Sequence, residues 1–306
     1  MLDKCLAHLK QQSFSPTQIL VMDNGSTDNS AERARIVPGV TVRMLGSNLG
    51  FAAANNQALR ECDSDFVTLL NPDAFPEKNW LMSLIKAAQA HPEVVAFGSR
   101  QMVDGLPSIV DGLGDVYHIS GLVWRNGYGR PLSTADNIST EIFSPCACAA
   151  LYRREALINA GGFDEDYFCY VEDIDLGFRL RLLRQTARNV PDAIVYHTGS
   201  ASTGGRHSDF SVYYGHRNLV WTFIKNMPGV LFWFLLPLHV LLNVVSVIYF
   251  LIQGQGSVIL RAKRDAIIDI PKMWRKRREI QSLRSTSASE IYSILDKRLS
   301  LRQKYR

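Results

Sequence analysis

Short apolar runs alternate with helical spacing over the first hundred residues. Segments 18–23 (Gln-Ile-Leu-Val-Met-Asp), 41–45, 66–70 and 94–98 are bounded by turn formers such as Asn24-Gly25-Ser26 and Asn71-Pro72-Asp73, which predicts strands. Between them, Asp28, Ser30 and Glu32 open one helix, and 49–60 and 80–90 read as two more. Strands and helices in alternation predict an α/β fold with a mostly parallel sheet covered on both faces. Ligands of such sheets bind beyond the carboxyl ends of the strands, where Asp23 and Asp73 fall.

The rhythm is lost over 99–160, a Gly-rich stretch of polar runs that reads as strands and loops forming a wall of the site. It returns with Ile174, Phe178 and Leu182, which predict a helix whose first turn carries Glu172 and Asp173. Carboxylates there either cap the helix or do chemistry. Segment 193–197 is a strand ending in His197, 200–209 is a polar loop expected to move, and 213–225 is a helix containing Arg217 and Asn218.

Beyond Pro228, residues 230–252 carry no formally charged side chain. As a helix this stretch is about 35 Å long, enough for a bilayer core of about 30 Å. Pro237, His239 and Asn243 weaken a spanning reading and leave an interfacial helix as the alternative. The chain thus divides into a domain over 1–226 and an apolar, membrane-associated segment with a basic tail over 227–306.

Charge sharpens that division. The net charge is +5, yet residues 254–306 hold 14 Lys/Arg against 5 Asp/Glu. Arg261, Lys263, Arg264, Lys272, Arg275, Lys276, Arg277 and Arg278 beside an apolar segment suit an anionic membrane surface on the cytoplasmic side. The tail lacks interleaved aromatic platforms, so no nucleic acid is expected as a partner. Cys5, Cys62, Cys146, Cys148 and Cys169 show no paired spacing and are expected to be reduced thiols.

Five segments in order carry a resemblance. They are Val21-Met22-Asp23-Asn24-Gly25-Ser26-Thr27-Asp28; Asn48-Leu49-Gly50-Phe51-Ala52 with Asn55; Leu70-Asn71-Pro72-Asp73; Gly162-Phe163-Asp164-Glu165 leading to Glu172-Asp173-Ile174-Asp175-Leu176; and His197. Together, over residues 5 to 225, the chain resembles the family 2 glycosyltransferases, in particular the rhamnosyltransferase-like branch that extends lipid-linked polysaccharides. The resemblance implies an A-type glycosyltransferase fold, a Rossmann-like sheet. It also implies a nucleoside diphosphate sugar as donor, Mg²⁺ or Mn²⁺, and inverting transfer of a sugar such as rhamnose to a lipid-linked or lipopolysaccharide/O-antigen acceptor at the cytoplasmic face of the inner membrane. A non-catalytic scaffold of the same fold at the membrane is the alternative.

By match to the family's motifs, Asp73 is the main metal ligand and His197 completes the site. Asn71 stands where many relatives have Asp. Asp23, Asn48 and Asn55 line the donor, and Arg217 is a partner for its diphosphate or for a lipid phosphate. Asp164 matches an acceptor-binding position, Asp173 the catalytic base, and Glu172 is the second choice for that role. Asp73 and His197 can also be read as a turn former and a strand-end cap. The Gln-x-x-Arg-Trp signature of processive relatives is absent, and Tyr214-Gly215-His216-Arg217-Asn218 occupies that region, which favours addition of one or a few sugars. Relatives also open with a strand ahead of the helix that begins near Leu2. The sheet is therefore expected to lack its first strand, with Met1 either an internal methionine of a longer chain or the start of a damaged, inactive form.

Overall fold

The computed structural model describes residues 1–199 and 208–298, so most of the polar loop expected over 200–209 lies outside the described residues. The chain begins with α1 (Leu2–Lys10), β1 (Ile19–Asp23), α2 (Ser30–Arg35), β2 (Val40–Met44), α3 (Phe51–Glu61) and β3 (Phe66–Leu70). A short β4 (Ala74–Pro76), α4 (Trp80–Ala90) and β5 (Val94–Val103) follow. The irregular middle resolves into β6 (Leu106–Gly112), β7 (Asp115–Tyr117), β8 (Val123–Arg125), β9 (Glu141–Ile142), β10 (Ala149–Arg153) and α5 (Arg154–Asn159). The acidic helix is α6 (Glu172–Leu182), and β11 (Thr186–His197) returns to the sheet. The carboxyl-terminal part is helical: α7 (Asp209–Asn226), α8 (Gly229–Ile252), α9 (Gly256–Ile268), α10 (Ile270–Ser282) and α11 (Ala288–Ile294).

The central seven-stranded sheet has the order β3-β10-β5-β11-β4, with β6 on β5 and β9 on β11. Strand β11 runs parallel to β5, and β10 runs antiparallel to both β3 and β5. Hence β3, β5 and β11 point the same way. Their carboxyl ends meet the amino end of β10 at one edge, and this edge gathers Asp73, His197 and Cys148. Strands β1 and β2 form a separate parallel pair, so that β3 ends the large sheet.

Both faces of the sheet are covered, which explains why the first nine residues of β5 are buried without alternation. One face packs on α4, whose Trp80, Leu81, Leu84 and Ala88 recur at helical spacing. The other packs on α3, α5 and α6 through Leu59, Leu157, Leu176 and Leu180. The opposite side of α6, with Ile174, Phe178 and Leu182, joins a third cluster with Trp221, Phe223, Leu231, Phe232, Met273 and Ile291. One core therefore runs across residue 226 and ties the helices after it to the acidic helix.

That packing also corrects the reading of the basic tail. Four of its eight cationic side chains turn toward protein rather than toward headgroups. Lys263 donates to the His216 carbonyl and the Asn243 side chain, and Arg277 to the carbonyls of Ile224 and Met227. Lys272 pairs with Asp166, and Lys276 with Asp164 and Asp166. Arg277 meets carbonyls freed at the end of α7, and the lysines meet carboxylates and polar oxygens of the protein. Arg261, Arg264, Arg275 and Arg278 stay exposed.

Candidate active site

The strand edge holds the first half of the site. Antiparallel pairing places His197 opposite Ala74, next to Asp73. His197 Nε2 lies 3.5 Å from Asp73 Oδ2, and its Nδ1 lies 2.8 Å from Asp111 Oδ2. Burial opposes protonation of the imidazole, but the two carboxylates outweigh it and push it up to about 12. Burial likewise raises Asp73, and the His197 contact more than offsets this, leaving its carboxyl below the usual range. Asp111 also binds Arg125 at 2.6 Å. Once Nε2 gives up its proton, one carboxylate and one imidazole nitrogen, with an acidic residue holding the other ring nitrogen, form a donor set open to a divalent cation. The residues present fit such an ion.

Segment 144–148 connects this half to the second. The Asn71 N–H donates to the Cys148 carbonyl at 2.8 Å. The Ala147 N–H donates to Asp173 Oδ2 at 3.2 Å, and Ser144 Oγ to the Asp173 carbonyl at 2.9 Å. This approach requires Gly177, since a Cβ there would lie 2.3 Å from Ser144 Oγ. Asp173 Oδ1 accepts from the Ile174 N–H at 2.9 Å. Burial raises the Asp173 carboxyl above its ordinary value, while the Ala147 N–H and Arg125 hold the rise in check. Glu172 is raised much further, by burial and then by the charge of Asp173, which favours its protonated form. Asp115 is raised well above its ordinary value for the same two reasons, and ligand atoms of Asp115, Cys146 and Asp173 lie within 4.8 Å of one another.

The backbone leading into Asp173 is strained. Phe168, Tyr170 and Val171 all have positive φ, at 63°, 67° and 69°. None is glycine, and β-branched Val171 is the least suited of the three. Each such residue costs of order 1–3 kcal/mol, so the surroundings must impose the path. Buried Asn218 does so, its Nδ2 donating to the carbonyls of Tyr167, Cys169 and Tyr170 at 3.0, 3.0 and 2.8 Å. Arg217 adds bonds to the carbonyls of Asp166 and Tyr167 and stacks over Trp221 at 4.0 Å. Gly50, at φ 87°, allows the Phe168 carbonyl to approach to 2.5 Å of where its Cβ would be.

The remaining sequence candidates divide. Asp23 is buried at the end of β1, with one carboxylate oxygen unpartnered among the described residues. Asn48 accepts from the Asn24 side chain and from the Gly50 N–H, holding the turn into α3. Asn55 donates back to the Phe51 carbonyl of its own helix, whereas neighbouring Asn56 bridges to Phe163 and Glu165. Asp164, expected to face an acceptor, is instead locked between Lys225 and Lys276. Burial opposes its ionisation, but the two lysines hold its carboxyl far below the usual range. Arg217, expected on a phosphate, has its guanidinium committed to the strained loop. In both cases the charge already has partners within the chain.

Asp111, Asp115, Arg125 and Ser144 escaped sequence reading because they lie in the irregular middle, where no period marks a face. Asn218 stood beside Arg217 in a recognised helix, and its amide among aromatic and apolar neighbours is the signal that could have found it.

A family model described as "Glycosyl transferase family 2" matches residues 1–161. The N-acetylglucosaminyl-diphospho-decaprenol L-rhamnosyltransferase of Mycobacterium tuberculosis is 30% identical over 236 residues, covering 66% of this chain and 73% of that protein. Among solved structures, the mannosyltransferase of Pyrobaculum calidifontis in complex with GDP-Man and Mn²⁺ superposes with a TM-score of 0.54 at 17% identity, covering 92% of this chain and 80% of that one. GalNAc-T7 with UDP, GalNAc and Mn²⁺ gives 0.54 at 14% identity, over 68% of this chain and 41% of that one. The two structural likenesses speak for the A-type glycosyltransferase fold.

Proposed function

The chain belongs to glycosyl transferase family 2 and is a rhamnosyltransferase-like glycosyltransferase that takes sugar from a nucleotide sugar. From that premise we propose that it transfers rhamnose, with inversion, from a nucleoside diphosphate donor to a lipid-linked saccharide at the cytoplasmic face of the inner membrane. The observation that supports this most is the pairing of Asp73 with His197 at the strand edge, linked through Asp111 and Arg125 to the environment of Asp173.

Asp73 and His197 would hold Mg²⁺ or Mn²⁺, which when bound supplies positive charge to the leaving diphosphate. Asp111 fixes the ring of His197 so that Nε2 faces Asp73. Asp23, buried with a free carboxylate oxygen, accepts from the donor's nucleoside. Asn71, between β3 and Asp73, lies at the same edge. Asp173 is the general base: it takes the proton from the acceptor hydroxyl as that oxygen attacks the anomeric carbon from the side opposite the diphosphate. Burial raises its pKa, which makes it a stronger base than an ordinary aspartate. Glu172, whose carboxyl is raised much further by burial and by the charge of Asp173, is the weaker candidate.

The test incubates the full chain with a panel of nucleoside diphosphate sugars, rhamnosyl donors included, and polyprenyl-diphosphate-linked N-acetylglucosamine. Transfer with an inverted anomeric signal in the product supports the reading. Tight donor binding with no turnover on any acceptor would favour the scaffold alternative and overturn it.

A further inference from the structure

Helix α8 is long and apolar enough to cross a bilayer by length and composition. Its packing points elsewhere. A stripe along the whole helix is fastened to the rest of the protein. In the first turns Leu231, Phe232 and Leu235 enter the cluster that includes Tyr167 and Phe223. Midway, His239 stacks on Phe223 with 4.0 Å between centroids, and its Nδ1 lies 2.8 Å from the Ser120 carbonyl. Next, the Asn243 side chain accepts from Lys263 at 2.6 Å. In the last turn Phe250 meets the edge of His216 at 4.8 Å.

The opposite stripe is bare from end to end. Val230 and Ile252, at the two ends, are each 78% exposed, and Phe234, Leu241, Val245 and Ile248 lie open between them. Such a face far exceeds the scattered apolar exposure of an ordinary surface. A helix joined at its first, middle and last turns to a polar body cannot cross a membrane unless that body enters too. It can only lie along one.

We infer that α8 lies in the plane of an anionic lipid surface, its outer stripe sunk below the headgroups and the catalytic body above. Charge argues for lipid as the occupant. The outer stripe of α8 has no charged residue, and the exposed side of the adjoining α9 mixes Leu260, Ile267 and Ile268 with Arg261 and Arg264. That mixture of apolar and cationic residues suits the headgroup boundary. Exposed Trp233 in the first turns and Tyr249 near the last are placed to anchor both ends at the same depth. The inference deepens the membrane location proposed above by choosing lying over spanning. Its test reads depth rather than sugar transfer, so the two can fail separately.

Nitroxide labels are placed on Phe234→Cys, Leu241→Cys and Ile252→Cys of the full chain, bound to vesicles of phosphatidylethanolamine and phosphatidylglycerol. Power saturation against oxygen and a water-soluble nickel chelate then reports depth. All three labels are expected at one shallow depth, about 5–10 Å below the headgroups. A label at 241 near the bilayer centre, with 234 and 252 toward opposite leaflets, overturns the inference in favour of a span. As a second measurement, Leu241→Gln with Val245→Gln should lower vesicle affinity about 100-fold, with melting and nucleotide binding unchanged. Undiminished vesicle binding by that variant also overturns it, as does conversion of a dimer to a monomer in its place, which would make the face a contact between copies.

Discussion

The two halves of the active site are built in opposite ways. His197 ends β11 and Asp73 immediately precedes β4, and the ladder between β11 and β4 sets their spacing. Asp173 follows a loop with three non-glycine residues at positive φ, held by Asn218 and Arg217 from α7. The groups assigned to the donor side rest on relaxed backbone, and the proposed base rests on strained backbone imposed from outside. Rigid strands suit a site that must present the same charge to every donor. A strained loop adds a second requirement, since Asp173 is held in place by the helices packed behind it. Lys272 and Lys276 on α10 pair with Asp164 and Asp166 at the root of that loop, so the helices after residue 226 bear on the loop that leads to Asp173.

The largest effect should separate the halves outright. Asp173→Asn is expected to lower turnover by about 10²–10⁴-fold while donor binding and melting temperature stay near wild type. If Asp173 only caps the helix, Asn serves nearly as well and the rate survives. In the wild type, the acid limb of kcat/KM should fall above the ordinary aspartate range of about 3.9, because burial raises this carboxyl.

On the other half, Asp111→Asn should weaken metal-dependent nucleotide binding by about 10–100-fold through misorientation of His197. Calorimetry with Mn²⁺ and with chelator measures it. Equal nucleotide affinity in both conditions for the wild type would remove the metal from the proposal.

Asn218→Ala probes the restraint on the strained loop. It leaves three carbonyls without their shared donor and should destabilise the protein by about 1–3 kcal/mol. Turnover should fall with little change in donor affinity, because the strand edge is untouched. A purely global loss of stability, with kcat intact below the melting transition, would show that the loop needs no such support.

The smallest effect is expected for Lys276→Ala. Its ammonium is partly solvated, so screening limits the loss to about 1 kcal/mol, less at high salt. The sign with pH follows from its partner. The carboxyl of Asp164 is depressed in the folded state, so the stabilisation is complete above the unfolded value of about 3.9 and is lost as pH falls through the lower folded value. Thermal melts of wild type and variant should therefore converge in acid. A gap that widens there would contradict the ion pair.

Local pattern was enough for much of this molecule. Strand β3 and helix α4 occupy the residues that their spacing predicted, His197 ends β11, and Asp73 falls in the turn between β3 and β4 that Asn71-Pro72-Asp73 marks. The acidic helix was legible for the same reason, down to Glu172 in its first turn. Strands β5 and β11 run longer than their apolar cores suggested, since pairing on both sides carries polar residues such as Gln101 and Arg188 into the ladder. Tertiary structure alone decided the rest. Asp111 meets His197 across 86 positions of sequence, a distance no periodicity encodes. Asp164 and Arg217 have the chemistry of ligand-binding residues, and only packing shows that Lys225, Lys276 and the loop carbonyls use it internally. Composition makes α8 apolar apart from His239, Asn243 and Ser246; only the body against which it folds decides that this polar stripe meets protein and the opposite side is left bare.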